Sequence, residues 1–489
     1  MKISTLYSLL AAALIGFSAC DDFLDMQPTN ASNAETAIAT TDDAQVAING
    51  LMRAMTSSSY YGRNFLIYGD AKGGDLTIYS AGRGLDALYS FNHAPTSGSY
   101  SGFWSTGYYC IMQANNLIAN IDRLTAEGKK GFDTYKGQAL TLRALFYFDL
   151  VRLYGLPYNY DKSALGVPLV TQTLEASAQP TRATVEEIYT QILSDLKEGA
   201  ELLSSYKKPV DSYVGYFANI ALQARVNLYK ENYTAALAAA KEIIESGQYK
   251  PYTPAHWVDS WRKQYDDESI FELGVDVESD LGSSSLGYYY MQYKRVSGAQ
   301  GWFLASNYFL NRLGEDPDDV RWGVMDVDEE DYDNDTGRKG ACYKYMGSVD
   351  LEGDGKETPS AVNIKVIRLS EIYLIAAEAA LKSGDKGAAA DYLNEIRKRS
   401  PKLAPATEAT VSLQMILDER SKELFGEGHR FFDMIRCNQT IEFNDDFQDV
   451  PISQREKVID RTFYKIVLPI SQDEINANPA LREQQNPGY

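Results

Sequence analysis

Residues 219–246 read NIALQARVNLYKENYTAALAAAKEIIES. Ala224 and Leu228 fall on one helix, Lys230-Glu231-Asn232 makes a short turn, and Ala236, Ala240 and Ile243 recur at i, i+4 and i+7 on the next. The pattern returns 153 residues later, where Ala377 and Leu381 precede Ser383-Gly384-Asp385 and Ala389, Leu393 and Ile396 mark the second helix. Alanine at these positions lets antiparallel helices approach closely, and each pair leaves an apolar face for a neighbour. The expected fold class is mostly α, a tetratricopeptide-type helical-repeat scaffold.

Working outward, apolar stripes of helical period place further helices at about 105–126, 134–153, 184–203 and 411–424. Thr184 with Glu187 three residues on is a capping box, and Gly426 and Gly428 stop the last of these helices. Between the repeats the texture changes. Residues 56–103 and about 250–362 are rich in Gly, Ser, Tyr, Asp and Trp and lack sustained helical period. Loops this long in a folded body usually carry function, so a large irregular, loop-rich ligand-binding half is expected beside the helices.

The full chain has 489 residues, 47 Lys and Arg against 67 Asp and Glu (net charge −20), three His, four Cys and 35 Tyr. The apolar content of 44% suffices for a large core. A charge of −20 excludes an extended basic surface for nucleic acid or anionic lipid, and favours a neutral ligand over a polyanionic one. Three His leave little material for His-rich metal sites.

Lys2, the apolar run Leu9 to Phe17, then Ser18 and Ala19 before Cys20 have the order of a secretory signal. Cys after small residues is the bacterial lipoprotein arrangement, so residues 1–19 are expected to be removed and Cys20 lipidated. Residues 20–35 read as a tether, and 36–489 as one body, with helix pairs mainly within 105–246 and 367–436 and binding loops mainly within 56–103 and 250–362. Cys110, Cys342 and Cys437 are odd in number, allow at most one disulfide, and read as isolated thiols.

Several segments together resemble one family, the SusD/RagB-like outer-membrane nutrient-binding lipoproteins of Bacteroidota. They are Cys20-Asp21-Asp22-Phe23-Leu24-Asp25; Trp104, Tyr108, Ile111, Asn115 and Asn116 with Arg143 to Phe148 and Leu153-Tyr154-Gly155; and Arg368 to Leu374 with Ala377-Glu378-Ala379. The most distinctive block is Glu419-Arg420, Glu423 to Arg430 and Asp433, and the end Asn478-Pro479 with Gln485 to Tyr489 also matches. The resemblance implies a repeat scaffold carrying an irregular binding half. It implies a non-enzymatic, surface-exposed protein that captures glycans, or sometimes peptides, as a lid over a SusC-like TonB-dependent transporter, anchored to the outer membrane by lipid. It gives the region of the ligand site and not the ligand.

Oligosaccharides present apolar C–H faces and hydroxyl edges, so a matching site needs flat aromatic faces and planar polar groups. Two loops offer both. One carries Asp75, Tyr79 and Arg83, with Tyr89, Phe91, Tyr60 and Tyr61 nearby; the other carries Tyr288, Tyr290, Trp302 and Asn307, with Tyr289, Tyr293 and Arg295. Asp75, Tyr79, Arg83, Tyr288, Tyr290, Trp302 and Asn307 are the candidate ligand contacts. Competing readings are that these aromatics pack the loops' own cores, that alternate Tyr in 288–293 line a strand, and that Asp75 and Arg83 form a loop salt bridge. Trp104 opens a framework helix and reads as core. Arg420, Glu423, His429, Arg430 and Asp433 read as a buried ion-pair network and not as catalytic residues.

No metal site or cofactor is expected. The acidic stretch Asp326 to Asp335 and the segment Asp350 to Gly355 suit a hard cation in composition but miss the spacing of an EF-hand, which leaves adventitious calcium as a minor option. No catalytic residue is assigned. With 67 acids a carboxylate pair always exists, so a glycoside hydrolase remains a competing reading, as do a peptide-capturing lid and a scaffold whose repeat groove holds a partner's helix or tail.

Overall fold

The computed structural model describes residues 37–489 apart from 83, 98–100, 176, 329–336, 352–357, 448–449 and the side chain of Ser101. Cys20, the signal, the tether and Arg83 lie outside the described residues. The longer helices are α1 (Thr41–Met55), α2 (Asn64–Ala71), α3 (Ser101–Ala126), α4 (Asp133–Tyr154), α5 (Val185–Leu203), α6 (Tyr216–Tyr229), α7 (Tyr233–Ser246), α8 (Leu369–Lys382), α9 (Lys386–Arg397), α10 (Leu413–Glu423) and α11 (Arg430–Arg436).

From α3 to α9 each helix packs on the one before it, α1 lies against α3, and α10 closes the stack on α8. Helix pairs in this arrangement bury one another's apolar faces in series. The alanine pattern explains the contacts. Helix α7 buries Ala236, Ala240 and Ile243, α9 buries Ala389, Ala390, Leu393 and Ile396, and α7 meets α8 directly. The start of α5 carries the expected capping box, with Thr184 N–H donating to Glu187 Oε2 at 2.8 Å and Glu187 N–H to Thr184 Oγ1 at 3.2 Å. Trp104 is buried edge-on to Tyr154, with ring centroids 5.0 Å apart, and belongs to the core.

The segment between α7 and α8 is an excursion that leaves and returns at one place. Strand Ser269–Leu273 near its start pairs antiparallel with Ile364–Arg368 at its end, with Ser269 opposite Arg368. Beneath that clasp lies a buried web of charge. Arg368 reaches Glu423 at 2.7 Å, Glu427 at 2.8 Å and Glu268 at 3.2 Å, while Arg399 joins Glu268 at 2.8 Å and Glu423 at 3.0 Å. Arg420 holds Asp433 at 2.8 Å, so the charged block of α10 and α11 is the ion-pair network its composition suggested. Burial opposes charge on Glu423, and Arg399, Arg368 and Arg321 outweigh it, holding the carboxyl far below its ordinary value.

Gly428, at φ 80°, shows how the irregular half docks on this block. A Cβ on Gly69 in α2 would lie 2.0 Å from the Gly428 carbonyl oxygen, and Gly428 N–H donates to the buried Asp70 carboxylate at 3.0 Å. Only two bare backbones permit that approach. The stretch 56–103 is thus less irregular than its composition suggested, since α2 and the turn Asp86–Ser90 lie in it, and 288–293 is no strand because Leu286–Tyr290 forms a single helical turn. Helix α1 carried no sequence expectation. Cys110, Cys342 and Cys437 are free thiols.

Candidate ligand-binding site

Strand Leu76–Ile78 pairs antiparallel with Phe303–Ala305, so the two loop segments singled out in the sequence are joined in one ladder. The register puts Leu76 opposite Ala305 and Ile78 opposite Phe303. Three residues of strand span about 10 Å, and the candidate contacts divide between the two ends.

At one end the pairing runs one residue further, Tyr79 N–H donating to the Trp302 carbonyl at 3.2 Å. Directly opposed residues of an antiparallel pair project to the same face. Tyr79 and Trp302 are both half-buried there, each keeping part of its surface open to solvent. The indole is braced edge-on by Tyr289 with centroids 4.9 Å apart. Behind it, Arg63 sits 4.7 Å over the Tyr289 ring and donates to its hydroxyl at 3.0 Å. Burial draws the Arg63 guanidinium below its ordinary pKa. Tyr288, also half-buried, rests against bare Gly298, where a Cβ would stand 3.3 Å from the ring, and Gln300 N–H donates to its carbonyl at 2.7 Å. Tyr293 is exposed.

At the other end the sequence expectation needs correction. Asp75 is only 2% exposed. Its carboxylate accepts from Ser421 at 2.5 Å and Arg312 at 3.1 Å, with Arg430 at 3.3 Å, so it ties the ladder to α10 and α11. Its salt-bridge partners are these two arginines. Asn307 is exposed, opens the short helix Asn307–Leu313, and accepts from Arg338 Nε at 2.9 Å through its side-chain oxygen. Beside it a cleft of about 250 Å³ is lined by Tyr308, Arg312, Gln414, Arg430 and Glu442, with Asp75 at its wall. Tyr308 donates to Glu442 at 2.7 Å.

Tyr290 also needs correction. It is 1% exposed, packed near Asp70 and Tyr345, and its hydroxyl has no hydrogen-bond partner among the described residues. Burial raises its pKa well above the ordinary range, and burial likewise pushes the neighbouring Asp70 carboxyl up to about 8. A ring enclosed in this way supports the loop and meets no ligand. Tyr60 and Tyr61 are buried and both donate to Asp149, and buried Tyr89 donates to Asp445 at 2.8 Å. Arg83 falls outside the described residues. The sequence reading missed Tyr308, Arg312 and Arg338. Tyr308 carried the aromatic signal beside Asn307, whereas the arginines are brought in only by the tertiary fold.

Among the described residues no cluster of His, Cys, Asp or Glu is arranged to hold a metal ion. Asp326 pairs with Arg295 and Asp328 with Arg338, and most of both segments read for calcium lies outside the described residues. No described helix is long and apolar enough to cross a membrane.

The helical scaffold thus carries half-buried aromatics on a ladder between two loops. A sequence model of the SusD family matches residues 205–489, and one described as starch-binding associating with outer membrane matches residues 22–228. A SusD superfamily protein of Bacteroides thetaiotaomicron superposes with a TM-score of 0.80 at 33% identity, covering 92% of this chain and 100% of that one. A sugar-binding protein of Bacteroides vulgatus gives 0.81 at 33% identity, covering 93% and 99%. SusD-like protein P38 of Formosa agariphila is 25% identical over 89% of this chain and 91% of its own. The chain belongs to the SusD family and shares the helical scaffold of its solved members.

Proposed function

We propose that the protein is a lipoprotein, anchored through Cys20 and facing the cell exterior, that captures oligosaccharides and delivers them to a SusC-like TonB-dependent transporter. It binds and does not cleave. The observation that carries the glycan reading is the Tyr79 and Trp302 pair, joined across the ladder by a backbone hydrogen bond of 3.2 Å with both residues half-buried. Two flat rings on one face match the C–H faces of successive pyranose units, and stacking of this kind contributes on the order of 1 kcal/mol per ring. Tyr288 extends the aromatic surface, and Asn307 with Tyr308 supplies hydrogen-bonding edges. Asp75 and Tyr290 take supporting roles. A solved structure described as sugar-binding and a matching family model described as starch-binding support the same assignment.

Isothermal titration of the mature protein against plant, fungal and host oligosaccharides tests this reading. Heat with glycans is expected, with the same glycan recovered intact. Heat only with peptides would replace the glycan assignment by a peptide lid, and turnover products would make the protein a hydrolase.

A further inference from the structure

A second cleft, of about 410 Å³, opens between the Tyr158–Asp161 turn, residues 461–467 and the tail residues 483–487. It contains none of the residues of the site described above. Three of the exposed large apolar side chains gather there: Tyr160, Leu165 and Tyr464, at 40%, 36% and 43% exposure, with Phe463 packed beside Tyr464 at 5.4 Å between centroids. Exposed apolar residues scattered singly need no explanation, but a cluster in one concavity does.

The cleft also holds two arginines that pair with no carboxylate among the described residues. Arg182 is buried and donates only to neutral oxygens: the carbonyls of Gly166, Gln484, Tyr154 and Leu165 and the amide oxygen of Asn486, at 2.5–2.9 Å. Its charge is therefore uncompensated. Burial lowers its pKa to about 10, the direction expected of a cation lacking a counter-ion. Arg461 lies 4.8 Å over the Tyr160 ring, with no hydrogen bond to its guanidinium among the described residues. Of the acids on the wall, Asp161 is turned to Ser163 and the backbone N–H of Ala164, and Glu483 stands exposed at the rim. Two acids balance the two arginines in this lining, so what the cleft offers a carboxylate is a specific group, the Arg461 guanidinium, which is hydrogen-bonded to no described residue and stands beside exposed aromatic rings.

We propose that this cleft is a second saccharide site, selective for a sugar unit that carries a carboxylate. A uronate ring stacks on the exposed Tyr464 or Tyr160 face, and its carboxylate pairs with the free Arg461 fork in the field of Arg182. The inference rests on the glycan reading above and extends it. The first site takes neutral units; this one adds preference for an acidic unit elsewhere on the same chain or on another.

The test is titration of the mature protein with galacturonate, glucuronate and mannuronate oligomers and their neutral counterparts, comparing wild type, Arg461→Gln, Tyr464→Ala and Trp302→Ala. Both cleft positions are at the surface, and thermal melts within a few degrees of wild type establish that the variants fold. The expected result is a uronate oligomer that binds wild type and Trp302→Ala alike, weakens at least ~10-fold in Arg461→Gln and in Tyr464→Ala, and loses affinity with added salt. Neutral oligomers are expected to lose affinity in Trp302→Ala alone. Absence of binding by every uronate oligomer at millimolar concentration overturns the inference and leaves the first site standing. So does uronate binding that only Trp302→Ala removes, or carboxylate peptides that bind the cleft where uronates do not. Neutral glycans indifferent to Trp302→Ala would instead count against the site proposed for the established loops.

Discussion

The web under the excursion is built from arginines and glutamates, and the ladder beside it from aliphatic and aromatic residues, and the two differ in how far they are covered. In the web, Arg368, Arg399, Glu268, Glu423 and Glu427 are buried, and each charge is met by an opposite one. At the ladder, Tyr79 and Trp302 are only half-buried, and Tyr289, itself held by Arg63, braces the Trp302 indole edge-on. Burial of a residue able to bind therefore separates framework from site. Perturbing the web should cost stability, and perturbing the ladder's open end should cost affinity at nearly constant stability.

The largest expected effect is in the web. Arg368→Ala removes one cationic partner from three buried glutamates, leaving Glu268 and Glu423 to Arg399 and Glu427 to Lys344, and breaking buried pairs in such a network costs about 3–5 kcal/mol. Urea unfolding should show the midpoint falling accordingly, and a loss below about 1 kcal/mol would mean that the web contributes little.

Acid should act on the same block by a separate route. Burial lowers the His429 pKa to about 4, and for Glu371 burial is outweighed by Arg225, which holds the carboxyl at about 2. Both folded values lie below the unfolded ones, so their stabilisation is complete above about pH 6.5 and declines as pH falls, first through His429 and then below about pH 4.5 through Glu371. Asp70, raised to about 8, acts in the opposite sense between about pH 8 and 4, so the readout is the difference between two proteins: in melts from pH 7 to 4.5, His429→Gln should lose less stability, or gain more, than wild type as pH falls.

At the ladder, Trp302→Ala should weaken the best glycan by roughly 30-fold, about 2 kcal/mol, while the melting temperature stays within a few degrees. The smallest effect belongs to Tyr290→Phe. Its hydroxyl is buried without a partner among the described residues, so its removal should leave glycan affinity unchanged and alter stability by less than about 0.5 kcal/mol. A clear loss of affinity in Tyr290→Phe would restore the direct contact its position in the sequence suggested.

The comparison also explains what could be read from residues alone. Helices α5 to α9 were legible because an alanine and leucine period and a capping box are local signals, and Gly426 and Gly428 ended α10 where expected. The general location of the candidate site was legible from aromatic loops. Which aromatics remain open was not, because Leu76 meets Ala305 only through a pairing between distant segments that no local pattern encodes. Asp75 and Tyr290 have the residue types of ligand contacts, yet α10 and α11 cover the first and the Asp70 region encloses the second. Of 35 tyrosines, those at 60, 61, 89 and 290 are framework despite lying in loop-rich sequence.

The central claim is that the open end of the ladder binds glycan while the buried web only holds the fold. Its most direct test is calorimetric titration of the best oligosaccharide into wild type and the Tyr79→Ala/Trp302→Ala double variant. Loss of affinity by at least ~100-fold with an unchanged melting temperature is the predicted result, and affinity within about twofold of wild type would contradict it.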